Sequence, residues 1–135
     1  MNTAANAYKR QQIMTASPEE LTLMLYNGAI RFVTECMRAM EKNDIQTAHT
    51  KNMRAQKIVR EFMVTMDMKQ EIAKNWLQID EYILHCLIQG NIKKDMAQLE
   101  EAKRFLVEFR DVWVQAMKTV RDEKGKPVRP QSTAV

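Results

Sequence analysis

A chain of 135 residues, 45% hydrophobic and 28% charged, is too short for two domains of ordinary size and too apolar to stay disordered. With only three glycines and three prolines it lacks the turns of a many-stranded sheet, so long helices are expected. The net charge of +4 is spread along the chain without the clustered cations and stacking aromatics of a nucleic-acid footprint, and Cys36 and Cys86 lack the C-x-x-C spacing of a zinc or redox motif.

The first stretch, residues 1–16, is polar and has no apolar leader core. No later run reaches the roughly 18 apolar residues of a membrane span, so a cytoplasmic protein without membrane insertion is expected. Within residues 1–16, Tyr8, Ile13 and Met14 are spaced apolar side chains in a polar background. That pattern suits a detachable cover, although without other information a frayed terminus is the simpler reading.

Ser17-Pro18-Glu19-Glu20 is a helix start, with Ser17 as cap, Pro18 at the first position and Glu20 closing a capping box. The helix it opens runs to about Glu41. Leu21, Leu25, Ala29, Phe32, Cys36 and Ala39 form its core stripe, and Leu23, Tyr26, Ile30, Val33 and Met37 form a second beside it. Together they span an arc of roughly 200°. Asp44 caps a second helix to about Met66, with Ile45, Ala48, Ala55, Val59, Phe62, Met63 and Met66 on one stripe. After a connection at 67–70, a third helix runs to about Gln89, where Gly90-Asn91 reads as a stop. Its core stripe is Ile72, Trp76, Ile79, Ile83 and Leu87, widened by Leu77, Leu84 and Ile88 on one side and by Tyr82 and Cys86 on the other. Asp80 is a carboxylate inside that arc, either a buried acceptor or a residue of its rim. The fourth helix runs from an Asp95 cap to about Arg121, with an ordinary stripe from Leu99 through Phe105, Phe109 and Trp113 to Val120. Gly125, Pro127 and Pro130 mark residues 123–135 as a disordered tail.

Four helices of about 20 residues, each about 30 Å long, with short connections, predict an all-α chain. The arrangement expected is an antiparallel up-down four-helix bundle over residues 17–122, preceded by the segment 1–16. Such a bundle asks for an apolar stripe of little more than about 100° per helix. The excess on the first and third helices has three possible destinations: a homodimer interface, a site covered by the chain's own N-terminal segment, or a groove for a partner helix. If a groove, its anchors are Leu23, Tyr26, Ile30, Val33, Leu77, Leu84 and Ile88.

Catalysis finds no support. The histidines are His49 and His85, no Glu-x-x-His pair exists for a di-metal site, and the glycines are isolated. No catalytic residue, metal or cofactor is expected. Rivals to a groove are an RNA-binding regulator using Lys51, Arg54, Lys57 and Arg60, and a purely structural homodimer.

The runs Ala7-Tyr8, Thr15-Ala16-Ser17-Pro18-Glu19-Glu20-Leu21 and Leu25-Tyr26-Asn27-Gly28-Ala29-Ile30-Arg31-Phe32 resemble the N-terminal signature of the flagellin export chaperones, the FliS family. Arg54-Ala55-Gln56-Lys57-Ile58-Val59, Asn91-Ile92-Lys93-Lys94-Asp95 and Phe109-Arg110-Asp111-Val112-Trp113 extend the likeness over roughly residues 5 to 120. The resemblance implies a non-catalytic cytoplasmic helical protein, a monomer or weak homodimer. Its partners would be the disordered C-terminal segment of flagellin, held in an apolar groove against premature polymerisation, and the flagellar type III export gate. It also implies that residues around Tyr8, Ile13 and Met14 cover the groove when flagellin is absent, with Tyr8 docking on the gate protein. Two positions depart from the family's pattern: Met66 to Glu71 lacks the frequent glycine, and Asp80 stands where an aromatic is frequent.

Overall fold

The computed structural model describes residues 3–65 and 71–124. Among them are five helices and no strand: α1 (Thr3–Thr15), α2 (Pro18–Glu41), α3 (Ile45–Thr65), α4 (Glu71–Lys93) and α5 (Met96–Lys124). The expected connection at 66–70, with Met66, and the expected tail from Gly125 onward lie outside the described residues.

The start of α2 is built as its local sequence dictates. Ser17 is extended (φ −68°, ψ 163°), its Oγ accepts from Glu20 N at 3.2 Å, and Ser17 N donates to Glu20 Oε1 at 3.4 Å. Two donors that the first helical turn would leave unpaired are thus satisfied. At the other end Asn43 takes the left-handed conformation (φ 58°), which asparagine tolerates better than most residues. Asp44 then caps α3, its Oδ1 accepting from Thr47 N at 3.2 Å, and those hydrogen bonds hold its carboxyl below the usual range.

The α4–α5 junction corrects one expectation. Gly90 does not end α4, which continues to Lys93, and the left-handed residue is Lys94 (φ 50°). Gly90 is there for closeness of packing. A Cβ at this position would stand 2.6 Å from Leu99 Cδ2 and 2.9 Å from its Cγ. Leu99 is itself fully buried, so α5 crosses α4 at the one residue that has no side chain. Asp95 N donates back to Gly90 O at 3.1 Å, and Asp95 Oδ1 caps α5 through Ala97 N at 3.0 Å. α5 then runs on through Lys124, two residues into the stretch the sequence assigns to a tail.

α2 packs on α3 and α5, α3 on α4, and α4 on α5, so the four contacts close a cycle. α1 stands outside it and buries no residue. Inside the cycle lie Ala29, Val33 and Cys36 of α2, Ala48, Ala55 and Val59 of α3, Ile83, Cys86 and Leu87 of α4, and Leu99, Ala102 and Leu106 of α5. The larger of these each contribute about 1.5–3 kcal/mol by leaving water. Small residues on α2 and α3 bring the two axes close; a Cβ on Gly28 would already meet Ile58 Cδ1 at 3.4 Å. The core therefore centres between the two stripes read on α2. Leu25, expected inside, is exposed, as is Ile45 of α3.

Two polar residues of α3 sit where only apolar ones were expected. Asn52 and Gln56 are both buried. Asn52 Nδ2 donates to the Leu87 carbonyl of α4 at 3.0 Å and lies 3.9 Å from Cys36 Sγ, while its Oδ1 accepts from Gln56 Nε2 at 2.7 Å. Buried amides are tolerated when paired in this way.

Candidate binding surface

Tyr26 (7% exposed) and Val33 (0%) belong to the core and offer no open anchor. Tyr26 stacks on Phe62 of α3, centroids 4.6 Å apart. The axis of burial passes through their stripe of α2. Leu23, Ile30, Leu77, Leu84 and Ile88 are half-buried, with Ile30 and Leu84 packed along the edge of the core. On α1, Tyr8 (66% exposed), Ile13 and Met14 are exposed.

Sequence reasoning missed an apolar opening between the first turns of α2 and the last turns of α5. It is a cleft of about 810 Å³ lined by Leu23, Trp113, Val114, Ala116, Met117 and Val120, with Glu19, Glu20, Lys118 and Arg121 among its polar residues. Trp113 ties the two helices across it, its Nε1 donating to the Glu19 carbonyl at 3.0 Å. Arg110 Nη1 reaches Asn27 Oδ1 at 3.3 Å one turn earlier along α5. Beyond Trp113, residues 114–124 continue for about 16 Å of helix. Val114 and Val120 are exposed there, as is Val112 just before Trp113. One sequence signal pointed to this: the fourth apolar stripe keeps its period as far as Val120, farther than the first helix can cover.

Asp80 of α4 is 5% exposed. Among the described residues no hydrogen bond or ion pair reaches its carboxylate, and burial pushes its pKa up to about 7. Tyr26, facing it from α2, is pushed up to about 12, by its own burial first and by the charge of Asp80 second. Asp80 is therefore an interior group. Tyr82 does not pair with it; its hydroxyl donates to Glu101 of α5 at 2.9 Å, and its ring meets Phe105 edge-on. Among the described residues no three His, Cys, Asp or Glu side chains converge as metal donors, and no helix is long and apolar enough to cross a membrane. His49 pairs with Asn91, Nδ1 to Nδ2 at 2.9 Å, and His85 faces solvent.

The family model described as flagellar protein FliS matches residues 1–120. The chain belongs to the FliS family. It is similar to the flagellar secretion chaperone FliS of Bacillus subtilis (strain 168), at 34% identity over 118 residues, 87% of this chain and 89% of the relative. It is also similar to the proteins of the same description from Vibrio cholerae serotype O1, 26% identical over 85% of this chain and 89% of the relative. For Escherichia coli (strain K12) the figures are 24% identity over 78% and 79%. The family model's match takes in α1 and nearly all of α5.

Proposed function

We propose that this protein is a cytoplasmic, non-catalytic export chaperone. In this reading α2 to α5 form an antiparallel up-down bundle that binds the disordered C-terminal segment of flagellin, keeps it from polymerising early and delivers it to the flagellar type III export gate. Family membership supports the chaperone role, and the three-residue and two-residue links at Lys42–Asp44 and Lys94–Asp95 suit antiparallel neighbours. The observation that carries the binding site is the cleft between α2 and α5, with the exposed valines of α5 beyond it. A surface of this kind suits an amphipathic helix laid in a groove. Leu23, Ile30, Leu77, Leu84 and Ile88 remain as anchors, joined by Val114, Met117 and Val120. Tyr26 and Val33, buried in the core, drop out of the anchor set.

Ordering a disordered client costs about 2–5 kcal/mol, which a long apolar contact offsets and a few polar contacts would not. α1 is the liftable segment, joined to α2 through Ala16 and Ser17 alone, and Tyr8 is its docking residue for the export gate. Calorimetry with a flagellin C-terminal peptide tests the site. Val114→Asp and Val120→Asp alter exposed positions, so the fold survives, and each should weaken binding about tenfold, the 1.4 kcal/mol expected for losing part of an apolar contact. Unchanged affinity in both would refute the α2–α5 cleft as the site.

A further inference from the structure

The flank where α2 meets α3 carries a feature that client binding does not use. Three cations surround one aromatic ring: Arg31 Cζ lies 5.0 Å from the centroid of Phe32, Lys51 Nζ 5.7 Å and Arg54 Cζ 5.7 Å. The ring is half-buried and packed on the core, so it is fixed in place. Like charges this close repel, and the face of one ring offsets only part of that repulsion. A single carboxylate is at hand: Glu35, whose Oε1 is 3.3 Å from Lys51 Nζ. That contact is ionic without being a hydrogen bond. Among the described residues Arg31 and Arg54 have no acidic partner, and both are exposed. The cluster therefore holds two uncompensated guanidinium groups on neighbouring helices, pre-positioned against an immobile ring.

We infer that Arg31, Lys51 and Arg54 around Phe32 form a second docking site, one that takes a short acidic segment of a partner protein. Guanidinium forks match carboxylates in a bidentate geometry, and stacking on Phe32 lowers the ordering cost of meeting one. The Glu35–Lys51 pair shows that a carboxylate already fits within the cluster. A nucleic-acid backbone is the poorer occupant, because it asks for a track of cations and open aromatic faces. The next cations along α3, Lys57 and Arg60, turn about 60° and 120° farther around the helix than Arg54, away from α2. The one ring present is already faced by cations. The run Lys51, Arg54, Lys57, Arg60 that looks basic in sequence is thus divided between flanks. The site is also separate from the cleft. Leu23 and Ile30 lie on the side of α2 that bears Asn27 and meets α5, whereas Phe32 and Glu35 face α3. Both can be filled at once, and this site stands whether or not flagellin is the client.

The test uses fluorescence anisotropy on the full chain at low salt, with three labelled probes: a Glu/Asp-rich peptide, its Gln/Asn analogue and a single-stranded RNA of equal length. The acidic peptide should bind more tightly than both others. Arg31→Gln with Arg54→Gln should weaken it at least about tenfold, the scale of a lost charge-assisted fork. Lys57→Gln with Arg60→Gln removes the same net charge and should change affinity less than about twofold. Should the first pair also lower the melting temperature, Arg31→Gln alone is read instead. Absence of peptide binding, equal loss in both pairs, no loss in the first, or tighter binding of RNA would each overturn the assignment.

Discussion

Asp80→Asn separates the cost of a buried charge from everything else at that position, since the two side chains are nearly the same shape. The carboxyl is pushed from its ordinary 3.8 to about 7 by burial, at 5% exposure. A folded-state pKa above the unfolded one means that the folded protein prefers the protonated, neutral form. Asp80 therefore costs no stability below about pH 4. The cost grows as pH rises through the window between 3.8 and about 7, and it levels off above that. A difference of about three pKa units corresponds to about 4 kcal/mol at full ionisation. Urea unfolding of both proteins at pH 4, 5.5, 7 and 8.5 reads the difference directly. Asparagine should gain little at pH 4, and its advantage should climb to a plateau of several kcal/mol near pH 8. A difference that is flat across this range, or that favours aspartate at high pH, would show that Asp80 is not a buried charge held at a cost.

Gly90→Ala should destabilise by about 1–3 kcal/mol, because Leu99 is fully buried and must shift to admit the methyl group; thermal melts of the two proteins measure it. Asn52→Ala leaves Gln56 Nε2 without its acceptor and removes the α3–α4 bond to the Leu87 carbonyl, and should cost about 1–3 kcal/mol in urea unfolding. Tyr8→Ala changes an exposed residue that touches no core, so stability and flagellin binding should stay within error while capture of the loaded complex on immobilised export-gate protein falls. Undiminished capture would remove Tyr8 from that role.

Features written within a few residues of one another were legible in the chain. The capping box at Ser17 and Glu20, the cap at Asp44 and the opening of α5 after Asp95 depend on hydrogen bonds spanning two or three residues, and all formed as read. What depended on a neighbour was not legible. On α2 two apolar stripes lie side by side, and no wheel says which line faces inward. The answer came from small residues, Gly28, Ala29 and Ala39, that let α3 approach, and it drew Tyr26 and Val33 into the core while leaving Leu25 outside. Gly90 carries the composition of a helix stop, yet its meaning is set by Leu99 on the next helix. Asn52 reads as a wet residue because its acceptor is a backbone atom 35 positions away. The α2–α5 cleft was hidden for a related reason. The α5 stripe looks ordinary until α2 is seen to begin at Pro18, beside Trp113, leaving the end of the stripe uncovered.

The amide pair of Asn52 and Gln56 bears on evolution as well as on stability. Grease is interchangeable: a leucine slid one turn along its neighbour, about 5.4 Å, meets another greasy surface at small loss. The Asn52 carboxamide has no such freedom, for the Leu87 carbonyl is available at one axial offset of α3 against α4 and at no other. It acts as a detent that keeps the two rods in step. Apolar positions around it can then be exchanged while the alignment of the helices, and the shape they offer outward, is kept.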